Sequence, residues 1–273
     1  MSGSTATSFL EVPETLWQRL EPLLPKYPVS CEGGRPRLPL RKVVAGILYV
    51  LRTGSQWKAM PREFGSGSAI HDYFQEWTDS GVFAKLWRVA LQEYDELVGI
   101  DWQWQSLDGA MTKSPLAGKK TGKNPTDRGK LGVKRSVLVD GCGVPLGVAI
   151  AGANAHDQKL VAETLGGIPV KRPRPTRRKK QHLCADKGYD AQAVRTAARR
   201  RRYQVHIPAK GEPASTRKRR GAKARRWVVE RTHSWTNRAR RLLIRWEKKA
   251  VNYLAMVHLQ FAITALRAAK VLG

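Results

Sequence analysis

Cysteine is scarce: Cys31, Cys142 and Cys184 are the three in 273 residues, far apart and without paired spacing. That excludes a disulfide framework or a zinc ribbon and fits a reducing cytoplasm. Long apolar runs are also missing. The most apolar stretch, Val251 to Leu272, is interrupted by His258, Gln260, Arg267 and Lys270, so it reads as a buried helix and not as a membrane span. No basic-then-apolar signal pattern opens the chain, so the expectation is a cytoplasmic protein with no membrane partner.

Acidic residues are the third scarcity. The chain carries 22 Asp and Glu against 50 Lys and Arg, a formal net charge of +28. Residues 1–105 hold 11 of the basic and 12 of the acidic residues, which leaves 39 and 10 for the remainder. A polyanion partner is the usual physical reason for such an excess, and its surface belongs to the second part of the chain.

The hydrophobic pattern divides the chain near residue 100. Before it, helical spacing recurs over Pro13–Leu24, Leu40–Leu51, Gln56–Phe64, Ser68–Trp77 and Val82–Val98. Two short helices joined by Gly65-Ser66-Gly67 have the look of a helix-turn-helix. The candidate recognition helix carries Asp72 and Glu76 and no Lys or Arg, so an ordinary helical bundle stays open beside that reading. After Gly99 the texture turns to strands over Trp102–Asp108, Val133–Val139 and Val144–Ile150, the last two joined by the hairpin signal Asp140-Gly141. A helix over Asp157–Leu165, a strand over Gln181–Ala185, a helix over Ala191–Arg202 and a strand over Tyr203–Ile207 follow. Two long helices, Ala222–Lys248 and Val251–Val271, complete the pattern. This predicts an all-α domain over 1–100 and an α/β domain over 101–273, a mixed sheet flanked by helices. Three basic interruptions, 118–130, 171–180 and 211–226, read as mobile.

Among the ten acidic residues after 105, Asp127, Asp140, Asp157, Glu163, Asp190, Glu212 and Glu247 fall in loops, turns or helix ends, where capping or solvation accounts for them. Asp108 and Asp186 each close a predicted strand, and Glu230 lies inside a predicted helix. On that helix Val228, Trp235, Ala239, Leu242 and Trp246 form an apolar stripe, with Glu230 roughly opposite. An ordinary one-turn ion pair with Arg226 is the competing explanation of Glu230. Three carboxylates without a Cys or His ligand set suit Mg2+, with Mn2+ as a substitute. Two such ions act together on phosphodiesters, while the surrounding cations grip the backbone.

Leu107-Asp108-Gly109, the Asp-Gly hairpin, Ala153-Asn154-Ala155-His156-Asp157, Ala185-Asp186-Lys187-Gly188-Tyr189-Asp190 and Val229-Glu230-Arg231-Thr232-His233-Ser234-Trp235 occur in that order. Together they resemble the insertion-sequence transposases of family five, in the DDE group with an RNase H-like catalytic domain. The resemblance runs from about Val12 to Leu266. It implies that Asp108, Asp186 and Glu230 are the metal-binding catalytic triad, and that residues 1–100 bind transposon ends. Arg226 and Glu230 match the family's helix motif, while Lys223 and Asn237 stand where relatives carry Tyr and Lys; Arg238 is a substitute cation.

The activity so implied is cleavage of double-stranded DNA at transposon ends and transfer of the 3'-OH ends into target DNA, by a homodimer acting on the nucleoid. A nonenzymatic DNA-binding protein, an inactive relic and a nuclease without strand transfer are the alternatives. The expected DNA contacts are Arg35 and Arg37; Lys119, Lys120, Lys123, Arg128, Lys130 and Lys134; Lys187; and Arg226, Arg231, Arg238 and Arg241. His156, His233 and Asn237 are expected at the rim of the site. Trp235 is read as core, and His182 and Cys184 as non-ligands.

Overall fold

The computed structural model describes residues 11–28, 36–209, 225 and 227–273. Cys31, Arg35, Lys223 and Arg226, with most of the basic segment 211–226, lie outside them.

The first part is helical: α1 Glu14–Leu20, α2 Leu40–Thr53, α3 Gly67–Asp79 and α4 Val82–Leu97. The expected helix over 56–64 is instead two 3-10 turns, Trp57–Ala59 and Arg62–Phe64. Pro61 is the reason: it offers no N–H, and it holds Met60 extended at φ −69°, ψ 142°. At the end of α2, Gly54 adopts a left-handed φ of 73° and packs 3.2 Å, measured from the position of an added Cβ, from the backbone of Arg240. A side chain fits neither the angle nor the space.

The second part is a six-stranded sheet: β1 Trp104–Lys113, β2 Gly122–Lys123, β3 Leu131–Val139, β4 Pro145–Gly152, β5 His182–Cys184 and β6 Gln204–His206. β3 runs antiparallel to both β1 and β4, and β2 adds two pairs beyond β4 on the same edge of β3. β5 and β6 then continue parallel to β1. The order β4-β3-β1-β5-β6, an antiparallel meander followed by two parallel strands, is that of an RNase H-like sheet. Helices α5 Asp157–Gly166 and α6 Gln192–Arg200 make the crossovers, and α7 Trp227–Asn237 and α8 Ala250–Ala268 pack afterwards. No described helix is long and apolar enough to cross a membrane.

One core joins the two parts. Trp87 of α4 packs on His258 and Phe261 of α8, at centroid distances of 5.1 and 5.5 Å, and its indole N–H donates to the Pro145 carbonyl. Tyr94 donates to Asp140 Oδ2 at 3.0 Å. Each large side chain buried at this seam contributes about 1.5–3 kcal/mol. Asp140 does more than start the predicted hairpin. It is fully buried, accepts from Cys142 and Val144 N–H, and burial pushes its carboxyl up to about 6.

Two further expectations are corrected. Segment 118–130 is an ordered hairpin, closed by Asn124 N–H to the Lys130 carbonyl and by Thr126 N–H to Asn124 Oδ1. The helix expected over 222–248 ends at Asn237, gives way to a 3-10 turn at Arg240–Leu242, and then runs extended, Ile244 bridging Lys113. Buried polar groups hold this irregular stretch against its own helical pattern. Arg241 pairs with Glu247 at 2.6 Å, and the fully buried Arg245 donates to the carbonyls of Glu247, Lys119 and Lys248. A buried carbonyl left unbonded costs about 1–3 kcal/mol, so these guanidiniums can override local propensity.

Candidate active site

Asp108 does not end its strand, as its sequence position suggested; β1 runs five residues further because β3 pairs with it as far as Lys113. The parallel partner is the shorter one. β5 pairs with β1 at Trp104↔His182, Gln105↔Leu183 and Ser106↔Cys184 and then stops. Two residues on from the last pair, one strand presents Asp108 and the other Asp186 at the same level. Neighbouring strands lie about 4.8 Å apart, so this register brings the two carboxylates to one end of the parallel pair. Asp186 Oδ1 accepts from Gly188 N–H at 2.7 Å, which starts the 3-10 turn Lys187–Tyr189 and folds Tyr189 back into the protein.

The Tyr189 ring is 1% exposed, and its hydroxyl makes no hydrogen bond of normal geometry. Its pKa is raised well above the ordinary tyrosine value, first by burial and then by the carboxylates of Asp157, Asp108 and Asp186. The hydroxyl therefore feels the charge of three acidic groups from three segments of chain. Asp157 is the one that sequence reasoning assigned to helix capping. The structure gives it a different role. Its Oδ2 pairs with Lys134 Nζ at 3.0 Å, and Oδ1 lies so close to Gly109 that a methyl group there would overlap it. The same added methyl would stand 3.5 Å from Tyr189 Oη. The glycine after Asp108 is thus required by the close approach of Asp157.

On α7 the buried face is Val228, Val229, Thr232, His233 and Thr236, which differs from the expected apolar stripe. Trp235 is half-buried and Trp246 is 39% exposed. Glu230 lies on the exposed flank, one turn before His233 and about 60° round from it. His233, expected at the rim, is buried beside the Asp108 backbone, and burial followed by the nearby Arg135 charge lowers its pKa to about 3. The α7 face next to Glu230 therefore packs on the β1 segment that carries Asp108. Thr232 fixes the helix further by donating to the Gly143 carbonyl at 2.6 Å.

The expected DNA contacts separate into two groups. Arg37, Lys119, Lys120, Lys123, Arg128, Lys130, Lys187 and Arg238 are exposed, and Arg231 is half-buried with its guanidinium near the rings of both Trp227 and Trp235. Lys134 and Arg241 are corrected: they are 7% and 5% exposed and committed to Asp157 and Glu247, out of reach of a phosphate. His156 is exposed at the start of α5 without capping it. Asn237 accepts from the fully buried Arg135 at 3.4 Å, which also reaches Tyr253. Sequence reasoning missed Lys134, Arg135 and Arg245 as interior groups, because charge suggests surface until a partner is visible, and it gave Tyr189 no place in the interior.

The donor set around Tyr189 is all carboxylate oxygen, which suits a hard divalent cation. Among the described residues, no group of three His, Cys, Asp or Glu side chains is drawn together closely enough to hold an ion as it stands.

Comparison with known proteins follows the same two-part division. Residues 12–87 match the family described as "Putative transposase of IS4/5 family", and residues 100–265 match "Transposase DDE domain". A Burkholderia cepacia protein described as "Putative transposase for insertion sequence element IS402" is 38% identical over 134 residues, 48% of this chain and 61% of that protein. The chain thus spans less than two thirds of that relative. A second B. cepacia protein, "Insertion element IS402 uncharacterized 16.2 kDa protein", is 32% identical over 118 residues, 42% of this chain and 80% of its own length. Among solved structures, the catalytic domain of Mos1 mariner transposase aligns at 12% identity with a TM-score of 0.29, covering 58% of this chain and 88% of that one. With a matched region reaching from Leu107-Asp108-Gly109 through the Glu230 helix, the chain belongs to the transposase DDE-domain family.

Proposed function

We propose that the protein is a DNA transposase that cuts phosphodiesters at the ends of its element and transfers the 3'-OH ends into target DNA, with Asp108, Asp186 and Glu230 as its catalytic carboxylates. The observation that carries this reading is the β1–β5 register, which sets Asp108 level with Asp186 beside the buried Tyr189 hydroxyl. Glu230 enters on α7, whose neighbouring His233 packs on the Asp108 strand. DDE domains in general use divalent ions. Here the three carboxylates would hold Mg2+, or Mn2+ in its place, and two ions would supply activation of the attacking oxygen and neutralisation of the leaving one.

The chain's own groups do the rest. Exposed Lys119, Lys120, Lys123, Arg128, Lys130 and Lys187 neutralise backbone phosphates of the bound DNA. Lys134 holds Asp157 against Gly109, so that Asp108 cannot drift along the sheet. The helical part, close to neutral, contributes recognition of the element's ends, not bulk affinity. A homodimer would bring two ends together, working in the cytoplasm on nucleoid DNA.

The test is incubation of the protein with Mg2+ and linear DNA carrying the ends of its own element. Nicks at the ends followed by joined products support transposition. Nicks without joining indicate a nuclease, and binding without nicks a nonenzymatic DNA-binding protein.

A further inference from the structure

A cavity of about 790 Å3 opens where the two parts of the chain meet. Arg52 enters from the end of α2, Trp235 from α7, Arg238 and Arg240 from the turn after it, and Gln260 and Arg267 from α8. Four arginines thus line one hollow, and among the described lining residues there is no Asp or Glu. Arg52 is half-buried and Arg238, Arg240 and Arg267 are exposed, Arg267 donating to the Gly273 carbonyl at 3.0 Å, so none of the four is matched by a carboxylate of the lining. Other arginines of the chain are satisfied internally. Arg241 has Glu247, Arg195 has Asp190, and Arg245 and Arg135 are bonded to carbonyls and side-chain oxygens. Arg52 has its pKa lowered by burial and then by the charge of Arg267, so two cations face each other at a cost. An anion inserted between them removes that cost, and planar guanidiniums match phosphate oxygens in pairs.

The tryptophan narrows the anion to a class. Trp235 stands with the Arg231 guanidinium 4.6 Å from its ring centroid, and Arg231 in turn lies 4.8 Å from the ring of Trp227. This alternating row runs along the helix that carries Glu230, and Trp235 lies about 7.5 Å beyond Glu230 along the axis. An inorganic anion needs no aromatic wall, whereas a nucleotide brings a base that stacks on one. A duplex keeps its bases paired inside, so the base that reaches Trp235 belongs to an unpaired or extruded nucleotide. The cavity's volume falls within the range of about 300–1,000 Å3 that ligand pockets occupy.

We infer that this arginine-lined cavity is a nucleotide subsite, binding the phosphate of an unpaired DNA residue among Arg52, Arg238, Arg240 and Arg267 with its base against Trp235. The inference rests on the DNA-cleaving reading and gives that reading a strand path: one unpaired nucleotide is held by both parts of the chain, a turn and a half along α7 from Glu230.

The experiment measures binding of a five-residue oligothymidine, a duplex of random sequence and inorganic phosphate to the full-length protein. The variants are Arg52→Gln/Arg267→Gln and Trp235→Ala. Arg177→Gln/Arg178→Gln is the control, removing equal charge from an exposed loop. Each cavity variant is expected to weaken the single strand about tenfold or more, the control less than about threefold, and duplex binding to change equally little in all three. If Arg52→Gln/Arg267→Gln does not fold, Arg238→Gln/Arg240→Gln, on the exposed turn, replaces it with the same expectation. Equal losses in cavity and control variants would overturn the subsite, as would a Trp235→Ala protein that binds the single strand like wild type. Saturation by phosphate at concentrations where the oligonucleotide does not bind would overturn it too. Single-strand binding lost as expected in a protein that never cuts DNA would uphold the subsite and defeat the cleavage reading. Cutting with cavity variants indistinguishable from the control would do the reverse.

Discussion

Lys134 reaches Asp157 at 3.0 Å from the middle of β3, and the opposite oxygen of that carboxylate lies against Gly109, the residue after Asp108. The lysine side chain is 9% exposed and the aspartate 35%. Replacing one partner leaves the other uncompensated, which costs about 3–5 kcal/mol when both are buried; the partly exposed Asp157 lowers the expectation for Lys134→Met to about 2 kcal/mol. Chemical denaturation measures it. A Lys134→Met protein as stable as wild type would mean that the pair does not hold this corner.

Gly109→Ala tests the same corner from the other side. The added methyl must displace Asp157, so cleavage is expected to fall about tenfold or more while duplex affinity changes less than about twofold. Full cleavage by Gly109→Ala would separate Asp157 from the chemistry.

His258 makes the α4–α8 seam acid-sensitive. Burial lowers its pKa from 6.5 to about 4, so the unfolded chain takes up a proton that the folded one refuses. Stability from this group is present above pH 6.5 and is lost as pH falls from 6.5 towards 4. At pH 5 the loss is up to about 2 kcal/mol. His258→Gln is expected to flatten the stability curve between pH 6.5 and 4; an unchanged slope would show that His258 stays accessible to protons beside Trp87.

Affinity for duplex DNA is expected to fall steeply with salt. Each neutralised phosphate contributes about −0.9 to the slope of log affinity against log salt, so six exposed cations of the second part engaging phosphates would give about −5. A nearly flat response would mean that the basic excess serves something other than a DNA backbone.

The sheet was legible in the sequence wherever short-range signals decide the structure. The Asp140-Gly141 hairpin, the β3–β4 pairing and the alternation of helix and strand after residue 156 all follow local pattern. Asp186 follows β5 as its local pattern suggests, whereas Asp108, expected at a strand end, lies inside β1 because β3 pairs with it further. What was illegible depended on partners distant in sequence. Helical spacing continued through Arg238–Lys248, but Arg241 and Arg245 find Glu247, Ser55 and loop carbonyls only in the folded chain and stop the helix there. Asp157 looked like a cap, and Lys134 like a DNA contact, until β3 and α5 brought them together. Trp235 read as core because the stripe assumed an unbroken helix; with α7 ending at Asn237, the ring sits at the mouth of an arginine-lined hollow.

The most direct test of the catalytic carboxylates compares Asp108→Asn, Asp186→Asn and Glu230→Gln with wild type in two assays, Mg2+-dependent cutting of DNA bearing the element's own ends and binding of that DNA without metal. Each substitution removes a charge that a divalent ion needs and leaves the Lys and Arg that grip the backbone. Cutting is expected to fall by at least about a thousandfold in all three, with binding within about twofold of wild type. Full Mg2+-dependent cutting by any one of them, Glu230→Gln above all, would contradict its place in the triad.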